Sequence, residues 1–350
     1  MDTGAAQQLQ VLAQKMSSAD IPQPLKEKVL IRLDQLSKLV ESPTFLPEFD
    51  RVNNYIDWII SLPWNKRTED LLDLAHAKEI LDKHHYGLDD IKERVLEYLS
   101  VMKLKQSQGQ TAEFMRSPIL CFVGLVGTGK TTIAYSIAEA MGRQIARIPF
   151  GGMGDALDLR GLSRMHPEAE PGKVIKALRI AQSRNPVILL DEIDRVTDAG
   201  RASIMGVLVE LLDPGQNNAF VDHYVDYPID LSQCLFIATA NNTTHIATAV
   251  MDRLEPIMMP SYNDHEKITI GKQYILPKAL KEAGLTSEII TFEEDVWINI
   301  VRPLGFDSGI RTLERTISGI VRKVARMIVE GKAQTAHLTK DNVKDYLPQY

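Results

Sequence analysis

The sequence is poor in several things, and each shortage closes off a class of protein. Only two cysteines occur in 350 residues, so no disulfide framework is implied. Cys121 and Cys234 lie inside apolar runs and read as small core residues of a reducing compartment, with a functional free thiol as the less favoured alternative. No apolar stretch approaches the roughly 20 residues needed to span a bilayer, and no membrane partner is expected. The opening Met1-Asp2-Thr3-Gly4-Ala5-Ala6-Gln7 lacks the basic-then-apolar order of a secretory leader, which makes an intracellular setting the expectation. A long run of Lys or Arg is also missing, and the formal net charge is -6. That balance leaves DNA binding unsupported. His84-His85 have no companions at metal-ligand spacing, and neither an internal repeat nor a low-complexity tract is visible. What is present is a 44% hydrophobic composition, in a chain of a length that suits two or three domains.

The stretch that organises the rest is Gly124-Leu125-Val126-Gly127-Thr128-Gly129-Lys130-Thr131. An apolar run, Ile119-Leu120-Cys121-Phe122-Val123, precedes it, and a helical pattern follows through Ile133, Ala134, Ile137, Ala138 and Met141. Strand, tight glycine loop and helix in that order make a P-loop. Glycines let the backbone wrap a phosphate, exposed N–H groups at the helix start donate to it, and the aligned peptide dipoles favour an anion. Gly124, Gly127, Thr128, Gly129, Lys130, Thr131 and Thr132 are therefore the expected phosphate cradle. Lys130 is placed to reach the outer phosphates and Thr131 to ligate Mg²⁺.

Upstream, the first hundred residues read as helices. Pro22 to Val40 carries Leu25, Val29, Leu33, Leu36 and Val40 at spacings of three and four, a one-sided apolar stripe too short for a free-standing coiled coil. A third segment, with Phe49, Val52, Tyr55, Ile56, Trp58, Ile59 and Ile60, stops at Leu62-Pro63 because proline cannot continue a helix. Asp70 to Lys83 and Leu88 to Leu104 form two more patterns joined around Gly87. Gln106-Ser107-Gln108-Gly109-Gln110-Thr111 reads as a polar loop.

Downstream, Pro186-Val187-Ile188-Leu189-Leu190 ends in Asp191-Glu192, as a buried parallel strand does when it delivers acids to the carboxyl edge of a sheet, where ligands bind. Asp191 suits Mg²⁺ held through water, and Glu192 suits polarising an attacking water. Leu235-Phe236-Ile237-Ala238-Thr239-Ala240 ends in Asn241, which either holds that water from its far side or simply starts a turn. Hydrolysis of a nucleoside triphosphate builds negative charge on the γ-phosphoryl oxygens, so Arg253 and Arg311 draw attention. Arg253 is expected at the rim of the sheet, and Arg311 at the start of a long helix with apolar residues at 317, 320, 321, 324, 325 and 328. An ordinary surface ion pair is the plain alternative for each. From Asp264 onward the chain reads as a separate helical lid.

These features in this order resemble an AAA+ ATPase. Ser61-Leu62-Pro63-Trp64-Asn65, Leu81-Asp82-Lys83-His84-His85-Tyr86-Gly87-Leu88, Lys92-Glu93-Arg94-Val95-Leu96-Glu97-Tyr98-Leu99, Leu212-Asp213-Pro214-Gly215-Gln216-Asn217 and Phe220-Val221-Asp222-His223-Tyr224 narrow the resemblance to the ATPase portion of the Lon protease family. It extends from about residue 20 to the end. The fold implied is α/β, a P-loop AAA+ parallel sheet flanked by helices, with a helical segment before it and a C-terminal α-helical lid. The implied boundaries are 1–66 for the N-terminal segment, 67–262 for the large subdomain and 263–350 for the small one. The resemblance assigns Lys130 and Thr131 to Walker A, Asp191 and Glu192 to Walker B, with Thr131 and Asp191 on Mg²⁺. It makes Asn241 sensor 1, Arg253 a finger acting on an adjacent subunit, Arg311 sensor 2, and Tyr86 and Gly87 part of the adenine pocket. Mg²⁺-dependent turnover of ATP to ADP, a homo-oligomeric ring of six and unfolded or damaged protein substrates follow from the same family. The implied compartment is the bacterial cytoplasm, with the mitochondrial matrix as alternative.

The chain departs from the family at three places. The usual prolines after the first P-loop glycine are Leu125-Val126 here, which alters loop stiffness and leaves ATP binding expected. In the substrate-gripping pore loop, Gly161 to Gly172, His166-Pro167 stands where the family has an aromatic-aliphatic pair, flanked by Glu168 and Glu170. Either threading of polypeptide is impaired, leaving a nucleotide-gated assembly or binding module with weak turnover, or Met165 or His166 serves as the bulky paddle. Finally, the family's serine-lysine protease domain would follow the lid, so no peptidase activity is expected of these residues.

Overall fold

The computed structural model describes residues 3–109, 118–302 and 309–348. Met1-Asp2, and the Gln110-Thr111 end of the expected polar loop, lie outside them. Three helices open the chain, α1 (Thr3–Ser18), α2 (Gln23–Ser37) and α3 (Phe45–Ser61). The stripe read in α2 is its buried face, Leu25, Val29, Leu33 and Leu36, and α3 buries Val52, Tyr55, Ile56 and Ile59 before Pro63 ends the helical run. α4 (Leu74–His84) starts four positions later than its apolar pattern suggested. The cause is Asp73, whose carboxylate accepts from the N–H groups of Ala75 and His76 and so fixes the N-cap. α5 (Asp89–Ser107) follows, with Asp89 and Asp90 in its first turn, where acids oppose the positive end of the helix dipole.

Then come β1 (Ile119–Val123), α6 (Lys130–Ala140), β2 (Ile145–Pro149), α7 (Leu157–Arg160), α8 (Lys173–Ala181), β3 (Val187–Asp191), α9 (Arg201–Leu212), β4 (Phe220–Val221), β5 (Pro228–Ile229), β6 (Leu235–Ala240), α10 (Thr248–Met251) and β7 (Leu254–Met258). The five long strands make one parallel sheet in the order β2-β3-β6-β1-β7, while β4 and β5 pair antiparallel by themselves. β2, β3 and β6 run in register, Ile145 opposite Val187 and Val187 opposite Leu235. Every residue of β3 and of β6 is buried, which explains why both read as unbroken apolar runs: helices cover both faces of a parallel sheet. Cys121 and Cys234 are fully buried, and burial pushes each thiol up to about 12, so neither forms a thiolate at neutral pH.

The last third holds α11 (Asp264–Ile270), a π-helical turn (Gly271–Ile275), α12 (Leu276–Glu282), β8 (Ile290–Phe292), α13 (Trp297–Val301), α14 (Arg311–Val329), β9 (Ala336–Leu338) and α15 (Val343–Tyr346). The helical reading of this region stands, with one short pair of strands that it did not contain. β8 and β9 pair in parallel, Ile290 opposite Ala336 and Phe292 opposite Leu338, and both Ile290 and Leu338 enter the same apolar core as Trp297, Ile300, Ile317 and Val321. α14 supplies the centre of that core with Leu313, Ile317, Ile320, Val321 and Val324.

The described residues fall into two compact units, both discontinuous in sequence. One lies within Met1–Leu72, Val101–Cys121 and Ala138–Glu255, the other within Asp73–Ser100, Phe122–Ile137 and Pro256–Tyr350. The division runs through β1 and β7.

Candidate functional site

The glycine loop leaves β1 at Gly124 and enters α6 at Lys130. Gly124 has no room for a side chain, because a Cβ there would stand 2.8 Å from the Cβ of Met259. Gly127 takes φ +83, a left-handed conformation that any other residue adopts only under strain. Its carbonyl accepts a hydrogen bond from the Ile310 N–H at 3.0 Å, and a Cβ on Gly127 would meet the backbone N of Ile310 and Arg311 at 3.2 Å. The amino end of α14, with Arg311 as its first residue, is thus laid directly on the phosphate loop. Lys130 is buried and its ammonium donates to the carbonyls of Gly124 and Leu125, at 2.6 and 2.8 Å. Thr128 and Thr132 turn their hydroxyls onto Leu125 O and Gly129 O, and the Tyr262 hydroxyl donates to Thr128 O at 3.2 Å. Thr131 follows Lys130 in the first turn of α6.

The stretch expected at an adenine pocket joins the same unit. Gly87 has φ +61 and turns the chain between α4 and α5, although α4 itself already ends at the extended His85. Tyr86 packs against the apolar core built around α14. His85, to which the sequence reading gave no role, is the anchor. It is buried, its Nε2 lies 2.9 Å from the Ser136 hydroxyl on α6, and burial, then the neighbouring His84 and Lys92, pull its pKa down to about 4. A neutral imidazole therefore ties the Tyr86-Gly87 turn to the helix that follows the phosphate loop.

The acids assemble in the other unit. Asp191 is the last residue of β3 and is buried. The Thr239 hydroxyl, from β6, donates to Asp191 Oδ1, and Arg147, from β2, donates through Nε to Oδ2 at 2.7 Å. The same Thr239 oxygen accepts the backbone N–H of Glu192 at 2.9 Å, so one side chain fixes both acids. Glu192 sits at φ 58, a left-handed conformation that costs a non-glycine residue of order 1–3 kcal/mol and is tolerated where the surroundings over-determine it. Arg195 reaches the Glu192 carboxylate at 3.2 and 3.3 Å. Asn241, directly beyond β6, has its backbone N–H on Asp194 Oδ1 at 3.1 Å. Asp191, Glu192 and Asn241 are thereby gathered at the carboxyl ends of adjacent strands.

Arg253 stands apart. It immediately precedes β7, and its carbonyl accepts from the N–H of Ile119 at the start of β1. In a parallel sheet this is the amino edge, about 17 Å from the carboxyl edge for strands of five residues. Arg253 is therefore remote from Asp191 and Asn241 of its own chain.

The stretch expected as the pore loop is braced on both flanks. Leu162 N–H donates to Glu170 O at 2.9 Å, and the buried Asp222 accepts from the N–H of Gly172 at 2.8 Å. Arg164 lies over the Tyr55 ring of α3 at 3.9 Å. Met165 is 90% exposed at the tip, and His166 is exposed beside it.

Arg147, Thr239, Arg195, Asp194, Asp222 and His85 are functional or supporting residues that the sequence reading did not single out. Apart from Arg195, whose partner Glu192 is three residues away, each has a partner 44 to 51 residues away along the chain, and only the charged Arg147 between Ala146 and Ile148 signalled anything unusual.

A P-loop following a strand of a five-stranded parallel sheet, with an Asp-Glu pair at the carboxyl end of β3, is the arrangement of the AAA+ class of α/β proteins. Family comparison agrees. Residues 120–262 match the ATPase family associated with various cellular activities (AAA), and residues 281–337 match the Lon protease AAA+ ATPase lid domain. The chain is 44% identical over 337 residues to a Lon protease of Dictyoglomus thermophilum, covering 96% of this chain and 41% of that protein. It is 41% identical over 333 residues to a Lon protease of Halothermothrix orenii, covering 95% of this chain and 41% of that protein. The chain belongs to the AAA+ ATPases of the Lon family. It spans about two fifths of the length of the curated relatives it matches.

Proposed function

We propose that the chain is the Mg²⁺-dependent ATP-hydrolysing motor of a Lon-type protein, working in a homo-oligomeric ring, for which six is the family's number, and acting on unfolded or damaged polypeptide in the bacterial cytoplasm. Residues 1–66 are read as the N-terminal helical segment, 67–262 as the large ATPase subdomain and 263–350 as the small helical one. The observation that carries the reading is the acid pair at the end of β3, with Glu192 in a strained conformation and both acids anchored by Thr239.

In this reading Lys130, with the N–H groups of the glycine loop and Thr132, binds the phosphates of ATP or ADP, and Tyr86 and Gly87 border the base. Thr131 and Asp191 are hard oxygen donors of the kind Mg²⁺ prefers and would hold it. When bound there, Mg²⁺ would supply positive charge to offset that of the phosphates. Glu192 accepts the proton of the attacking water, while Asn241 orients that water from the other side. Arg311, held on the phosphate loop, meets the charge that develops on the γ-phosphoryl group. Arg253 does the same for the neighbouring subunit, since its place at the amino edge of the sheet keeps it from its own acids.

Steady-state ATP hydrolysis tests this. Glu192→Gln is expected to bind ATP normally while turnover falls by roughly 10²–10⁴, and Lys130→Ala to lose nucleotide binding altogether. Undiminished hydrolysis in Glu192→Gln refutes the assignment of the base. Tight binding with no turnover in the unaltered protein at any protein concentration favours a nucleotide-gated assembly module instead. Stimulation of turnover by an unfolded polypeptide, lost in Met165→Ser, supports Met165 as the gripping side chain of the altered pore loop.

A further inference from the structure

The guanidinium of Arg253 is clamped at two points. Nη1 donates to the Ala249 carbonyl in α10 at 2.7 Å, and Nη2 donates to Asp213 Oδ2 at 2.6 Å. Both side chains of the ion pair are only about a quarter exposed, 27% for Arg253 and 25% for Asp213. Asp213 cannot swing, because its other oxygen accepts the N–H of Gly215 at 2.8 Å, and its carbonyl accepts the N–H groups of Gln216 and Asn217. It sits where α9 stops, in the turn Asp213-Pro214-Gly215, so its position is set by backbone and not by side-chain choice. The Arg253 partner, followed by the Gly215 N–H, holds the Asp213 carboxyl below its usual range, so the clamp stays charged at neutral pH. A guanidinium has five N–H donors in a rigid planar fork. The clamp uses two of them, and it fixes the plane in which the others point.

We infer that Asp213 is a positioning residue for Arg253: with the Ala249 carbonyl it sets the orientation in which the guanidinium is presented at the amino edge of the sheet to an adjacent subunit's nucleotide. The inference rests on the role proposed for Arg253 in a neighbouring site and goes beyond it by naming what aims the side chain. An arginine carries about 2 kcal/mol of rotamer entropy. Aiming it before the partner's phosphates arrive removes that cost from the catalytic step, which is what preorganised charge contributes to turnover.

The test compares Asp213→Asn, Arg253→Ala and the double variant in the full chain, reading kcat, KM and the affinity for a fluorescent ATP analogue. In Asp213→Asn the remaining carbonyl oxygen still accepts from Gly215, whereas an uncharged amide faces the guanidinium. Asp213→Asn is expected to lower kcat about tenfold, as loss of a charge-assisted hydrogen bond does, with KM and nucleotide affinity within about twofold of the parent. The double variant is expected to be no slower than Arg253→Ala alone, because an aiming residue has nothing left to aim. Undiminished kcat in Asp213→Asn overturns the inference. So does a tenfold loss that repeats in the Arg253→Ala background, which places the effect elsewhere. Asp213→Ser, which retains an acceptor for Gly215, carries the same expectation if the asparagine disturbs the turn. Normal turnover in Arg253→Ala is a separate result that removes the finger itself.

Discussion

His85 shows how much a single buried group decides. It is neutral in the folded protein because burial outweighs everything else acting on it, and its pKa of about 4 compares with an ordinary value of 6.5. The sign follows from proton counting. Between those two pH values the unfolded chain binds a proton at this position that the folded chain refuses, so falling pH favours unfolding. The contribution of His85 is complete above about pH 6.5 and is lost as pH falls towards 4, a change of roughly 3 kcal/mol at 1.36 kcal/mol per unit. Thermal unfolding followed across pH 4–7 is expected to show this loss, and His85→Gln, which keeps a hydrogen-bond partner for Ser136 without titrating, is expected to flatten the profile in that window. An unchanged slope in the variant places the acid sensitivity on other groups. At the same scale, Thr239 adds to the ion pairs that Arg147 makes with Asp191 and Arg195 with Glu192. One hydroxyl donates to the Asp191 carboxylate and accepts the Glu192 backbone N–H, so a single threonine of β6 holds the carboxyl end of β3.

Among the elements, α14 joins packing to function most directly. Its apolar face builds the core of its unit, and its first turn lies against the glycine loop. The joint is the pair Gly309 and Gly127: a Cβ on Gly309 would stand 2.3 Å from the Val126 carbonyl and 2.8 Å from Gly127. Gly309→Ala therefore has to displace either the loop or the start of α14. The expected result is a nucleotide affinity lower by about tenfold, equivalent to ~1.4 kcal/mol, with unfolding little changed because the core face of α14 is untouched. Titration with a fluorescent nucleotide beside a denaturation curve checks both halves of that statement. The α14 stripe and its start at Arg311 were legible in the sequence, because a long amphipathic helix repeats its signal over five turns. The strands β3 and β6 were legible too, since burial on both faces makes an unbroken apolar run. β2 was not, because Arg147 and Pro149 break its few apolar residues and leave no unbroken run. Nor were β8 and β9, whose three residues apiece find each other across 46 positions and owe their conformation to the core they enter. The candidate site divides the same way. The glycine loop is contiguous and declares itself, while Thr239 beside Asp191, His85 beside Ser136 and Asp213 beside Arg253 exist only after folding.

At the scale of the whole molecule the decisive fact is one of direction. A parallel sheet delivers Asp191 and Asn241 at its carboxyl edge and Arg253 at its amino edge, and no local rearrangement moves a side chain across the length of a strand. If Arg253 serves catalysis, it serves a second copy of the chain, and a head-to-tail contact that repeats either closes into the proposed ring or runs on as a filament. Mixing experiments reach this without a structure of the assembly. Lys130→Ala is expected to lack turnover for want of nucleotide, and Arg253→Ala to turn over far more slowly than the parent for want of the finger. Combined, they are expected to regain activity. A subunit with the intact phosphate loop, beside one with the intact arginine, forms a working site. Random mixing of equal amounts gives about a quarter of the sites that arrangement in a closed cyclic assembly. Turnover per subunit is also expected to rise with total protein concentration, in the mixture as in the parent, until the ring is saturated. A mixture that stays as inactive as its components, under conditions where the parent turns over, would mean that each chain completes its own site, and Arg253 would return to being half of a surface ion pair with Asp213.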